Sequence, residues 1–266
     1  MRLLTLNTHS VIDEKCDERI DTFCNAILKY QPDIIALQEV MQPITGEIVD
    51  CDSKIMLLGE IPIKKGNYLI KILSCLERHS LKYFAAYAGF KKAYESYDEG
   101  IAILSKKEIS STELIQISRI NEYKNYKTRF ALGIRANETW FYSVHFNKEH
   151  DSDSPFLHEW HELLKITQSK NSVFVMGDFN ITPKSNAYEI ISKEYFDTYM
   201  IAKEIDNGIT VKGEIDGWNG EKEDKRIDYI FSNKNINIKS SYVIFNGKNE
   251  NIISDHYGIL VEKEQI

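Results

Sequence analysis

The residues with chemistry to offer sit at the ends of apolar runs. Asn7 closes Leu3 to Leu6, and Glu39 stands two residues after Leu37. His145 follows Trp140 to Val144, Asp178 and Asn180 follow Val173 to Met176, and Asp228 lies within Arg226 to Ile230. Asp255 and His256 come immediately before the run around Gly258 to Val261. Strand ends on a rigid scaffold can aim several side chains at one point. Carboxylates, amides and imidazoles gathered there suit a hard cation and an anionic substrate. Singly, each has a plain structural reading: Gly177 to Asn180 is turn-prone, Asn7 could close a turn, and Ser254-Asp255 could cap its neighbour. A lone His145 is more often structural than catalytic. Their order along the chain is what carries the expectation.

Positioning such a set requires many short strands. They are expected at Leu3 to Leu6, Asp33 to Leu37, Ile101 to Leu104, Ala131 to Ile134, Trp140 to Val144 and Val173 to Met176. Three more are expected around Ile227 to Tyr229, Tyr242 to Phe245 and Gly258 to Val261. Asp17 is the expected N-cap of a helix carrying Ile20, Phe23, Cys24 and Ile27 on one face, ending before Pro32. Leu69, Ile72, Leu73 and Leu76 space a second helix. Phe156, Trp160, Leu163 and Leu164 space a third with Pro155 in its first turn, and a short fourth falls near Ala187 to Ile191. Gln42 to Gly66 shows no period and is expected to be loop and part of a site wall. Many strands and few helices predict an α+β class: two sheets with helices outside them, as one unit over 1–266.

The bulk numbers agree. Of 266 residues 42 % are hydrophobic, enough for a sizeable core. The formal charge of -7 argues against tight, sequence-independent nucleic-acid binding. The only basic runs, Lys91-Lys92, Lys106-Lys107 and Lys124 to Arg129, are expected to be solvated surface. No stretch reaches the roughly 18 apolar residues of a membrane span, and the first residues read as a core strand rather than a signal peptide. Cys16, Cys24, Cys51 and Cys75 form no CxxC pair, so a reduced, cytoplasmic protein is expected.

Taken in order, Asn7, Gln38-Glu39, His145, Gly177-Asp178-Phe179-Asn180, Arg226 to Ile230 and Ser254-Asp255-His256 resemble the endonuclease/exonuclease/phosphatase (DNase-I-like) superfamily over nearly the whole chain. Leu6 to Ser10 and Ile215-Asp216-Gly217-Trp218 are similar to its RgfB-like bacterial branch. The resemblance implies a four-layer α/β/β/α sandwich of two mainly antiparallel sheets, and a metal-dependent phosphoesterase. Its implied substrate is a small or lipid-derived phosphate ester, with a nuclease or a catalytically silent binding module as alternatives. It implies Glu39 as main metal carboxylate, with Asn7 and Asp255 close to the ion; Mg²⁺ fits, and Mn²⁺ is an expected substitute. Asp178 and His256 become rival candidates for the base, Asn180 a donor to phosphate, and Asp228 the partner that orients His145. Asn147 is a candidate substrate contact, and Trp218 either a substrate wall or a loop anchor. One departure stands out: abasic-site endonucleases place an Asp two residues after the first-strand Asn, where this chain has His9.

Overall fold

The computed structural model describes residues 1–10, 15–50, 53–215 and 217–264. Cys51, and Asp216 of the Ile215 to Trp218 stretch, lie outside the described residues. Two mixed sheets stack face to face with helices outside them, the α/β/β/α sandwich expected. The larger sheet contains β1 (Arg2–Asn7), β2 (Ile34–Pro43), β3 (Ile55–Leu58), β4 (Phe84–Ala93), β5 (Tyr97–Ser105), β11 (Ala202–Ile205), β13 (Ile238–Ile244) and β14 (Gly258–Lys263). The smaller contains β6 (Ile109–Gln116), β7 (Phe130–Ala136), β8 (Thr139–His145), β9 (Val173–Asp178), β10 (Phe196–Asp197) and β12 (Asp228–Ser232). Their orders are β11-β13-β14-β1-β2-β5-β4-β3 and β10-β12-β9-β8-β7-β6. Parallel pairs β1–β2 and β8–β9 lie at the centres, bringing the C-terminal ends of four chemistry-bearing strands to one side.

Strand side chains alternate between faces, and here both faces are buried, which explains the unbroken apolar runs. Leu3, Ile34, Ala36, Phe141, Phe174 and Met176 meet between the sheets. Leu4, Leu6, Ile35 and Leu37 turn outward against α1 (Cys16–Tyr30) and α2 (Tyr68–Arg78). Val144, Val173 and Val175 pack on α3 (Phe156–Thr167) and α4 (Asn186–Ile191). Trp160 belongs to that outer layer, fully buried.

Three local expectations are corrected. Asp17 lies inside the first turn of α1, where its charge favours the helix dipole, while Lys15 holds the cap position without a side-chain bond. Pro155 is the N-cap of α3 rather than part of its first turn. The stretch from Gln42 to Gly66 is not all loop: β2 runs on to Pro43, β3 follows, and Ile48 and Lys64 form a bridge. Strand β3 pairs in parallel with β4 at the sheet edge. Cys16, Cys24 and Cys75 are free and buried. No helix among the described residues is long and apolar enough to cross a membrane.

Candidate active site

Each predicted residue arrives at the cavity by an identifiable local device. Glu39 sits where the β2–β5 register breaks between Leu37 and Val40, with φ at 50°. That bulge turns its carboxylate out of the sheet alternation and toward the cavity. Gln38 beside it is buried and donates from Nε2 to Ser143 Oγ at 2.9 Å, tying the two sheets together under the site. Gly177 has φ 147°, and a Cβ there would lie 2.0 Å from the Val144 carbonyl oxygen. Only glycine lets β9 approach β8 closely enough to deliver Asp178 beside His145. Ser254 Oγ donates to the Asn7 carbonyl at 2.7 Å and accepts from His256 N at 3.2 Å, pinning the approach to β14.

The side chains converge on one cavity of about 560 Å³, whose walls include Glu39, His145, Asn147, Asp178, Asn180, Asp255 and His256. Asn7 lies beneath it, fully buried; its Nδ2 donates to Glu39 Oε1 at 2.9 Å and to Asp178 Oδ2 at 3.1 Å. Both hydrogens of that amide are therefore committed, and its oxygen accepts from His9 N at 3.2 Å. Asn7 thus holds the two carboxylates, at hydrogen-bond distance from the Glu39 expected to carry the ion.

The pairing expected for Asp228 is corrected. Its Oδ2 lies 2.9 Å from His256 Nδ1, so it orients His256, not His145. His256 Nε2 is 3.7 Å from Asp178 Oδ2, and His145 Nε2 reaches the same oxygen at 3.5 Å. His145 Nδ1 is buried with no hydrogen-bond partner, as is Asp228 Oδ1.

Burial and charge separate the protonation states. Burial opposes a charged His256, but Asp228 and Asp178 beside it overcome this and push its pKa up to about 10. Burial, reinforced by the Asp228 charge, pushes Asp178 up to about 7. Burial and the Arg129 charge hold His145 well below the ordinary histidine value, keeping it neutral. Burial would raise Glu39, yet the His9 ring 3.4 Å from its Oε2 and the Asn7 amide outweigh it and hold the carboxyl well below its usual range.

The two candidate substrate contacts also bond to other protein groups. Asn147 lines the cavity, but its Nδ2 donates to the Lys127 carbonyl at 2.8 Å and to buried Glu159 at 2.6 Å. Trp218 Nε1 donates to Asn180 Oδ1 at 2.9 Å, and its ring lies 4.1 Å from Lys148 Nζ. Among the described residues of Gln42 to Gly66 none lines the cavity, so the site wall expected there is not found among them.

Sequence reasoning missed the cations. Lys91 and Arg129, expected to be solvated, are buried at the cavity wall. Lys91 pairs with Glu99 at 2.9 Å. Arg129 donates from a terminal nitrogen to the Tyr126 carbonyl at 2.8 Å, and its Nε has no partner. Arg129 directly precedes the apolar run of β7. The strand-end position that marked the acids would have marked it too. His9, likewise on the wall, was seen only as a departure.

A two-sheet sandwich of this topology is the DNase-I-like fold. The chain belongs to the Endonuclease/Exonuclease/phosphatase family, which it matches over residues 4–256. Members of that family are hydrolases acting on phosphoester bonds. An endonuclease/exonuclease/phosphatase family protein from Leptotrichia buccalis is 33 % identical over 100 % of both chains, with a TM-score of 0.88. The fold is also that of a mannosyl-6-phosphatase from Bacteroides thetaiotaomicron, 14 % identical over 100 % of both chains at a TM-score of 0.67. A 3′ phosphatase from Neisseria, bound to a product DNA hairpin, is 15 % identical over 100 % of both chains, with a TM-score of 0.64. No curated protein matches the chain.

Proposed function

We propose that this chain is a cytoplasmic, divalent-metal-dependent phosphoesterase acting on a small or lipid-derived phosphate ester. The observation that carries the reading is the Asp228–His256–Asp178 sequence of close contacts, facing Glu39 across one cavity. The free, buried Cys16, Cys24 and Cys75 support the cytoplasmic setting.

The donor set fits a hard divalent ion. Glu39 is held ionised, and Asp255 supplies a second carboxylate on the same wall. Asp178, Asp228 and His256 also bring ligand atoms within 4.8 Å of one another. In that cluster, however, 2.9 Å between Asp228 and His256 is hydrogen-bond spacing, so Glu39 and Asp255 are the better holders. Mg²⁺, which keeps most of its waters and takes one or two carboxylates, suits them; Mn²⁺ is the expected substitute. Bound there, the ion would supply Lewis-acid stabilisation of charge on a phosphoryl oxygen.

The protein groups divide the remaining work. Asp228 fixes the His256 ring and keeps it protonated, so Nε2–H can donate to the phosphoryl oxygen as charge develops. Asp178 then takes the proton of the attacking water at Oδ2 as the water oxygen bonds to phosphorus and the ester P–O bond breaks, the leaving oxygen being protonated from solvent. A carboxylate raised to about 7 is matched to that task near neutral pH. This assigns Asp178 as base and His256 as charge stabiliser. Neutral His145 and the Arg129 cation line the wall where the ester's anionic oxygens would lie. Asn180 is held by Trp218 within reach of the same space.

A nuclease reading draws on Lys92 and Lys124 at the cavity with exposed Tyr94 and Tyr126, and on the DNA product held by the Neisseria relative. The overall charge of -7 weighs against it. The test is a panel of sphingomyelin, inositol phosphates, sugar phosphates, nucleotides and plasmid DNA, each with Mg²⁺ and with excess EDTA. We expect turnover of a small ester that EDTA abolishes. Full turnover after metal stripping would refute the metal-dependent reading, and turnover of plasmid DNA alone would replace it with the nuclease. Glu39→Gln should lose activity at low Mg²⁺ and recover part of it at high Mg²⁺.

A further inference from the structure

His9 stands where the sequence departs from the pattern of abasic-site endonucleases, and the geometry gives that departure a use. Its Nδ1 lies 3.4 Å from Glu39 Oε2 and 3.7 Å from Asp255 Oδ2, between the two carboxylates assigned to the ion. Neither is a hydrogen-bond distance of ordinary strength.

The backbone is shaped to hold the ring there. His9 has φ 37°, a left-handed conformation in which histidine is tolerated better than bulky or branched residues. Its N–H donates to Asn7 Oδ1 in an Asx turn, so the same amide that holds Glu39 and Asp178 also sets the direction of His9. The ring meets Tyr94 edge to face at a centroid distance of 5.8 Å. Among the described residues, five of the nine non-glycine positions with positive φ (His9, Glu39, Tyr94, Glu95 and Asn180) line this cavity. Backbone strain is concentrated where it fixes the aim of side chains.

We propose that the His9 imidazole is a direct ligand of the divalent ion, together with Glu39 and Asp255. This rests on the reading of those carboxylates as the ion's holders. It goes further in giving the site a nitrogen donor. Imidazole suits Mn²⁺ and later first-row ions better than Mg²⁺, which prefers oxygen. The site therefore selects Mn²⁺ over Mg²⁺ more strongly than its carboxylates alone would.

The competing arrangement is that His9 acts as a cation filling the ion's place, and the two predict opposite signs. Chelator-stripped full-length protein, its His9→Ala variant and its His9→Gln variant would be titrated with MnCl₂ and with MgCl₂ by calorimetry. The Mn²⁺ complexes would be examined by pulsed electron paramagnetic resonance for ¹⁴N coupling. We expect wild type to show ¹⁴N coupling that both variants lose, and Mn²⁺ affinity to fall by about tenfold or more while Mg²⁺ affinity falls less. Gln keeps side-chain bulk and polarity without an imidazole, so a folded His9→Gln protein serves should His9→Ala lose its fold. Tighter Mn²⁺ binding in the variants, or ¹⁴N coupling that survives them, overturns the proposal while leaving a metal site in place. No ion binding by wild type overturns this proposal and the metal-dependent reading together.

Discussion

The two sides of the cavity are built to different standards of burial. On the side of the larger sheet, Glu39, His9 and Asp255 leave 16, 30 and 28 % of their side-chain surfaces open. On the other, His145, Asp178 and Asp228 of the smaller sheet, with His256 reaching Asp228 from the approach to β14, leave 8, 2, 1 and 5 %. The open side can exchange an ion with solvent, and there His9 and Asn7 keep Glu39 ionised against its burial. The closed side excludes water, which strengthens every charge interaction inside it and drives protonation states away from their solution values. One side is suited to capturing an ion, the other to moving a proton. A single site therefore needs both an accessible face and a dry one.

The largest effect should come from the dry side. His256→Gln keeps a hydrogen-bonding group for Asp228 but removes the cationic ring, and kcat should drop by about 10² to 10⁴-fold, far more than KM rises. Alanine is the poorer probe here. It would leave Asp228 as a buried carboxylate without its partner, at a cost of about 3–5 kcal/mol, and so confuse folding with catalysis. Turnover of a folded His256→Gln protein at the wild-type rate would make His256 structural and erase the proposed difference between the two sides.

A medium effect should appear in stability against pH. Folded His256 titrates at about 10 against an ordinary 6.5, and folded Asp178 at about 7 against 3.8. Both bind protons more tightly when folded, so their stabilisation is complete at low pH and lost as pH rises. The loss runs from 3.8 to about 7 for Asp178 and from 6.5 to about 10 for His256. In EDTA, the thermal midpoint should fall between pH 7 and pH 10. Asp228→Asn, which takes away the charge that raises His256, should flatten that decline. An equally steep decline in the variant would show that the Asp228–His256 pair is not its source.

Much of this was legible before the fold was known, for a physical reason. A strand buried on both faces needs an unbroken apolar run, so Glu39, His145, Asp178 and Asp255 stand out where such runs meet polar residues. Partner choice was not legible. Asp228 could have served either histidine, and only the placement of β12 beside β9 gives it to His256. Edge strands were missed for the opposite reason to the core strands: β3 and β11 are short and largely not buried, so their sequences carry little apolar signal. Arg129 and Lys91 were misread because basic pairs usually face water. Nothing local distinguishes a lysine that will meet Glu99 across two strands.

The smallest effect should come from Trp218, which decides whether the loop before β12 belongs to the substrate or to the scaffold. Its Nε1–H donates to Asn180 Oδ1, while Asn180 remains tied through Nδ2 to the Phe146 carbonyl and through its N–H to Asp178 Oδ1. Trp218→Phe removes one of these three bonds and keeps most of the ring that Lys148 and Lys225 face. A single hydrogen bond of this kind is worth about 1 kcal/mol, which corresponds to roughly fivefold in a rate. If Trp218 works by holding Asn180, kcat should fall by about that factor with KM nearly unchanged. A substrate wall predicts the reverse, because lost contact area weakens ground-state and transition-state binding alike and raises KM at constant kcat. A rise in KM without a change in kcat would return Trp218 to the substrate, and extend the open side of the cavity to a loop that its hydrogen bond assigns to the closed one.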